Sequence, residues 1–228
     1  MKAEARTDAV IPAAGVGRRM GSATPKQYLC LAGKSVLERT AEIFLNCDRI
    51  RRVVIAINKS DTRFSSLPIA SDPRVVVCDG GDSRYLSVIS ALEHSTAPYV
   101  AVHDAARPLL STRDLETVLD YGERDDDGAI LALAMADTVK LGDEGRCLRT
   151  VPREKLWRAL TPQVFKREIL LKALRYADSA GQEITDEASA MELSGYKPRL
   201  VEARDPNFKI TLPQDLMIAR ALFGDKTC

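Results

Sequence analysis

Residues 8–34 read DAVIPAAGVGRRMGSATPKQYLCLAGK, and the rest of the chain is arranged around them. A short apolar run, Ala9, Val10 and Ile11, breaks at Pro12 and gives way to small residues and glycines. Glycines at 15 and 17 allow backbone angles and close approaches that a side chain would block. Successive N–H groups in such a turn form a concave anion site. Arg18, Arg19 and, past Pro25, Lys26 stand beside it, and three cations next to an anion-binding turn suit a polyphosphate. The stretch therefore predicts a nucleoside triphosphate at the end of a first strand. A solvated basic turn is the plain alternative.

Working outward, 228 residues with 45% hydrophobic and 29% charged side chains describe an ordinary globular chain. Lys+Arg 33 against Asp+Glu 32 leaves almost no net charge, and no basic block appears, so nucleic acid is not expected as a partner. The five cysteines are scattered without a CxxC pair, and two histidines cannot supply a zinc set. Reduced thiols in a cytoplasmic protein are expected. The polar start MKAEARTD and the lack of an 18-residue apolar run predict neither secretion nor membrane spanning.

Strand and helix patterns alternate along the chain. A strand at about 8–12 is followed by a helix over Ser35–Asn46 with Ser35 as N-cap, then a strand at 52–57 (RVVIAI). A short helix is expected at 61–67, and a third strand, RVVVC at 74–78, empties into DGGDSR. Next come a helix capped by Asp82 or Ser83, a strand at 99–103, a helix at 112–121 and a strand at 128–135. Continuous β-branched runs suit strands buried on both faces. The alternation predicts a doubly wound, mostly parallel, Rossmann-like α/β sheet with ligands at the carboxyl ends of its strands. Residues 137–157 lack the apolar content of core strands and read as a protruding β-hairpin turning at Asp143–Glu144–Gly145. Helices at about 166–178 and 185–194, a strand near 197–202 and a helix from Pro213 complete the chain as one domain.

Three motifs fall at strand ends. In the first, Gly15-Val16-Gly17 does not open directly into a helix. No acid follows the second strand, where Asn58 and Lys59 stand, so a dinucleotide fingerprint is disfavoured. In the second, DGGDSRYLS (79–87), paired glycines admit a base or ribose close to the backbone, with Asp82, Arg84 and Ser87 as polar partners. It also serves as a capped strand-to-helix turn. In the third, HDAARP (103–108), an acid at the end of a buried strand is costly unless it binds a cation or is hydrogen-bonded. Asp104 is thus a candidate Mg²⁺ ligand, or half of an ion pair with Arg107. His103 reads as a packed or hydrogen-bonded ring, not a catalyst. Thr161 in TPQVF and Thr185 in TDEASA can be helix caps, and Glu187 a first-turn acid. Lys209 in NFKIT is harder to explain as a solvated lysine.

In order, PAAGVGRRM (12–20), PKQYL (25–29), DGGDSRYLSV (79–88), HDAARP, LWRALTPQVF (156–165), ITDEASA (184–190) and Lys209 resemble the 2-C-methyl-D-erythritol 4-phosphate cytidylyltransferases of the non-mevalonate isoprenoid pathway. The likeness spans about residues 8–223. Ribitol-5-phosphate cytidylyltransferases tend to show an LAGG-type loop, HDAVRP and a TDAC-type segment, so PAAG, HDAARP and TDEASA favour the methylerythritol enzyme.

The resemblance implies transfer of CMP from CTP to the sugar phosphate with release of pyrophosphate. It implies that Pro12, Ala13, Ala14, Gly15 and Gly17 line the nucleotide site, that Gly81, Asp82 and Ser87 recognise cytosine and ribose, and that Asp104 and Ala105 lie near the metal and α-phosphate. Arg107, Thr138, Arg153, Thr161, Thr185 and Lys209 would hold the methylerythritol phosphate. Arg19 and Lys26 would stabilise the pentavalent phosphorus, with Arg153 and Lys209 positioning the attacking group. A homodimer joined by the arm at about 137–154 is implied too. CTP carries roughly −4 and the sugar phosphate roughly −2. Mg²⁺ with Arg19, Lys26, Arg107, Arg153 and Lys209 brings about +7, enough to offset the repulsion. A dinucleotide-dependent oxidoreductase, expected to bind NADPH at micromolar levels, and a non-catalytic nucleotide sensor are the competing readings. The sensor is disfavoured because Lys26, Asp104 and Lys209 are all present.

Overall fold

The computed structural model describes residues 6–15 and 24–224. Its centre is a seven-stranded sheet. In chain order the strands are β1 (Thr7–Pro12), β4 (Ile50–Ile57), β5 (Val75–Asp79), β6 (Tyr99–Val102), β7 (Ala129–Ala134), β10 (Trp157–Lys166) and β11 (Arg199–Glu202). In space the order is β11-β7-β10-β6-β1-β4-β5. β6, β1, β4 and β5 run parallel, as do β11 and β7, whereas β10 runs antiparallel to both of its neighbours. The mostly parallel α/β architecture expected from the alternation is present.

Period-two alternation sorts the strand side chains onto two cores. Ala9, Ile11, Val53, Ile55 and Ala101 face a layer with helices α1 (Val36–Leu45) and α3 (Thr112–Gly122). Val10, Val54, Ala56, Val100 and Val102 face the other, with α2 (Arg84–His94), α4 (Arg167–Ser179) and α5 (Glu187–Leu193). Both faces of the central strands are therefore dry, at roughly 1.5–3 kcal/mol for each large aliphatic side chain buried. Ser35 caps α1 in a full capping box with Glu38, Ser83 caps α2 and Ser111 caps α3. No helix among the described residues is long and apolar enough to cross a membrane.

Several local expectations need correction. Residues 61–67 form no α-helix; a 3₁₀ turn, Phe64–Ser66, stands there instead, and a second, Pro68–Ser71, follows it. Thr161 caps nothing: it lies inside β10, a ten-residue strand that the alternation of apolar runs does not reveal. Pro162 cannot donate to a ladder, and the pairing with β7 shifts register between Ala159 and Gln163 to accommodate it. Thr185 is not a cap either, since Asp186 caps α5 in a box with Ser189. A small ribbon of β2 (Cys30–Leu31) and β3 (Lys34–Ser35) packs beside the last helix, α6 (Pro213–Leu222).

The protruding segment is the two-stranded ribbon β8 (Val139–Asp143) and β9 (Arg146–Val151), whose strands, among the described residues, pair only with each other. Its turn has positive φ at Glu144 and Gly145, as a tight hairpin of native twist requires.

Candidate active site

The chain turns from one side of β1 to the other between β5 and β6, so the carboxyl ends of β1, β4, β5 and β6 open onto a shared crevice. A cleft of about 1060 Å³ occupies this position. Pro12, Ala13, Ala14, Gly15, Lys26, Gly81, Asp82, Ser87, Asp104, Ala105 and Lys209 line it. Eleven of the expected residues, drawn from five separate segments, thus meet in one place. Gly17 and Arg19 lie outside the described residues.

The cleft walls are tied together through the backbone. Ala13 donates its N–H to Ala56 O at 2.8 Å, and Gln27 Nε2 donates to Ala13 O at 2.8 Å, fixing the first loop against the Lys26–Tyr28 turn. Lys26 Nζ reaches Ile210 O at 3.4 Å, which brings it beside the Lys209 segment. Ser87 Oγ accepts from Gly81 N–H at 3.1 Å and donates to Ser83 O at 2.9 Å, so it shapes the base-side loop. Gly80 is required there, because a Cβ would fall 2.4 Å from that of Ala14.

Asp104 is the electrostatic centre. Its Oδ1 accepts from Arg84 Nε at 2.9 Å, and its Oδ2 meets Arg107 Nε at 3.2 Å and Lys209 Nζ at 3.0 Å. Burial alone would push this carboxyl up, but Arg84, Lys209 and Arg107 together hold it far below the ordinary range. It is a carboxylate at any working pH. Arg84 also forks onto Glu187, with Nη1–Oε1 at 2.6 Å and Nη2–Oε2 at 3.1 Å. Among the described residues no group of three or more His, Cys, Asp or Glu could hold a metal ion.

The remaining expected residues do not line the cleft. Arg107 is buried behind Asp104, its Nη1 donating to Asn207 O at 2.7 Å. Thr161 is buried too and accepts the Asp104 N–H at 3.1 Å. Thr138 and Arg153 are exposed at the base of the β8–β9 ribbon, where Arg153 Nη1 donates to Ala136 O. Thr185 is exposed two residues ahead of Glu187. In sequence Arg84 and Glu187 stand in separate motifs, and their pairing is not visible there. Only the carboxylate and the arginine themselves could have hinted at it.

His103 is packed, as expected. Its Nε2 donates to Arg107 O at 3.0 Å, so its Nδ1 is unprotonated and accepts from the Thr161 hydroxyl at 3.0 Å. Burial lowers its pKa to about 4. Between roughly pH 6.5 and 4 the unfolded chain binds a proton that the folded ring refuses, so stability must fall on acidification through that window. Urea unfolding at pH 7 and pH 4.5 should show His103→Gln losing less stability than the wild type, by on the order of 2–3 kcal/mol. Equal losses would contradict this assignment of the ring.

Three comparisons bear on this geometry. A family model described as 2-C-methyl-D-erythritol 4-phosphate cytidylyltransferase matches residues 7–225. A protein of that name from Citrobacter koseri is 48% identical over 214 residues, covering 92% of this chain and 93% of the relative. The crystal structure of 2-C-methyl-D-erythritol 4-phosphate cytidylyltransferase from Thermus thermophilus superposes with a TM-score of 0.82 at 34% identity, covering 95% of this chain and 98% of that one. A crystal structure of a 4-diphosphocytidyl-2C-methyl-D-erythritol synthase gives 0.83 at 34% identity, covering 96% and 98%.

Proposed function

The chain belongs to the 2-C-methyl-D-erythritol 4-phosphate cytidylyltransferase family, and on that premise we propose that it transfers CMP from CTP to 2-C-methyl-D-erythritol 4-phosphate. The products are 4-diphosphocytidyl-2-C-methyl-D-erythritol and pyrophosphate, in isoprenoid precursor biosynthesis. The observation that carries this reading is the set of cations around Asp104 at the floor of a glycine-walled cleft.

The nucleophile, a phosphate monoester, is already anionic at neutral pH, so no general base is needed. The difficulty is to bring it against a second polyanion, and fixed cations and backbone donors meet that need. In this reading Pro12, Ala13, Ala14, Gly15 and Gly17 cradle the ribose and phosphates, and Gly81, Asp82 and the Ser87-braced loop take the base. Arg19 and Lys26 stabilise the pentavalent phosphorus. Lys209, with Thr138, Arg153 and Thr185, receives the sugar phosphate. Arg107 and Thr161 act on it from behind, through Asp104, since both are engaged with Asp104.

Mg²⁺ or another divalent cation fits the donor set in one way only. Asp104 is ionised at the cleft floor, and Mg²⁺, commonly held by one carboxylate plus substrate phosphates, would share that carboxylate with Arg84, Arg107 and Lys209. When bound, the ion would neutralise phosphate charge.

We further read residues 1–228 as one cytoplasmic nucleotidyltransferase unit working as a homodimer through the arm at about 137–154. Supporting this, Leu141 and Leu148 on the ribbon are 44% and 62% exposed, apolar surface that a partner would cover. Arg153 and Thr138 at its base then act near the partner's site. Specific activity should fall as the protein is diluted through dimer dissociation, followed by light scattering; full activity from a monomeric sample would end this part of the reading.

The function itself is tested by measuring pyrophosphate release from CTP with methylerythritol phosphate and with ribitol 5-phosphate in parallel. Release with the former well above the latter is expected. No release with methylerythritol phosphate would refute the assignment.

A further inference from the structure

Arg84 and Glu187 are the first residues of α2 and α5, and they meet across 103 positions of chain. Glu187 is fully buried. A buried ion pair is a poor source of stability, because desolvation cancels most of the attraction and an apolar pair of similar volume often does as well. Its geometry is more informative. The guanidinium uses Nη1 and Nη2 on Glu187 and Nε on Asp104 Oδ1, so all three nitrogens are committed in one plane. Asp104 is then divided, with Oδ1 held by Arg84 and Oδ2 meeting Lys209 and Arg107. Glu187 is itself held in place from β10: Gln163 Nε2 donates to Asp186 Oδ2 at 2.8 Å and its Oε1 accepts from Ala188 N–H at 2.9 Å.

We propose that Glu187 and Arg84 are positioning residues for cytidylyl transfer: Glu187 orients the Arg84 fork, and Arg84 sets the rotamer of Asp104 so that Oδ2 alone anchors Lys209. The relay joins the Thr185 segment to the nucleotide cleft as one rigid unit. This inference rests on the function proposed above. Misplacing a reacting group by about 1 Å can cost on the order of 100-fold in rate, and Lys209 hangs from this relay.

Two measurements on the full-length protein test it. In single-turnover assays Glu187→Gln should slow transfer by about 10- to 100-fold with KM for CTP changed less than about threefold. In an Asp104→Asn background the same substitution should cost under about threefold, because the group it acts through is gone. Additive losses in the double variant would mark a structural role and overturn the proposal, as would a Glu187→Gln enzyme as fast as the wild type. The second readout needs no activity. By ¹⁵N NMR, exchange of the Arg84 Nε–H with water should be slow in the wild type and at least about tenfold faster in Glu187→Gln, although Glu187 does not touch that atom. Unchanged exchange overturns the relay whether or not the enzyme turns over, whereas a wild type that releases no pyrophosphate, with exchange accelerated, faults the functional reading instead.

Discussion

Lys26→Ala is expected to lower turnover by about 100- to 1000-fold while the dissociation constant for CTP moves by less than about fivefold. Lys26 begins a 3₁₀ turn pinned to the first loop by Gln27, and its amine rests against the carbonyl of Ile210, next to Lys209. It therefore stands where the two halves of the cleft come together. A triphosphate already has backbone donors and other cations to bind it in the ground state. Charge on the phosphorus oxygens grows only as the second phosphate attacks, and that is where a fixed ammonium contributes most. Rapid-quench turnover and calorimetric CTP binding separate the two effects. Equal losses in both would remove the transition-state role.

The second large effect is at Asp104. Three cationic groups lie within 3.2 Å of its oxygens. Asp104→Ala leaves Arg84, Arg107 and Lys209 facing one another with Glu187 to compensate, which should cost about 3–5 kcal/mol of stability and slow transfer, read by single turnover, by at least about 100-fold. The pH dependence has a definite sign. Because the folded carboxyl is held far down, its contribution is fully present above the unfolded value near pH 4 and is lost as pH falls further. The stability gap between wild type and variant, read from urea unfolding, should be full at pH 7 and shrink below about pH 4. A variant as stable as the wild type at pH 7 would contradict the account of this carboxylate.

Much of the fold was legible because the central strands of the sheet are dry on both faces. β4 and β7 are nearly unbroken aliphatic runs, and such runs separated by capped helices leave few alternatives. β10 was hidden for the opposite reason. Arg158, Thr161, Pro162 and Gln163 interrupt its pattern: the register shifts around Pro162, Thr161 braces Asp104 and Gln163 braces α5. The strand that least resembles one does the most to hold the site.

The site divides in the same way. HDAARP and DGGDSR were visible as local motifs because glycines and a strand-end acid are unusual in sequence. Which acid meets which arginine was not visible, since pairing between α2 and α5 depends on the sheet order that brings the two helices together. Thr161 and Arg107 illustrate the consequence: resemblance assigns them to substrate, whereas their side chains are engaged with the backbone and carboxylate of Asp104.

The central claim is that an oxygen of the sugar phosphate attacks the α-phosphorus of CTP. Methylerythritol phosphate carrying ¹⁸O in its phosphate, turned over with unlabelled CTP and followed by ³¹P NMR, tests it most directly. The account predicts isotope shifts on both phosphorus atoms of the diphosphate product, from ¹⁸O in the bridge, and pyrophosphate free of label. Label in the pyrophosphate, or CMP formed with the sugar phosphate unconsumed, would contradict it.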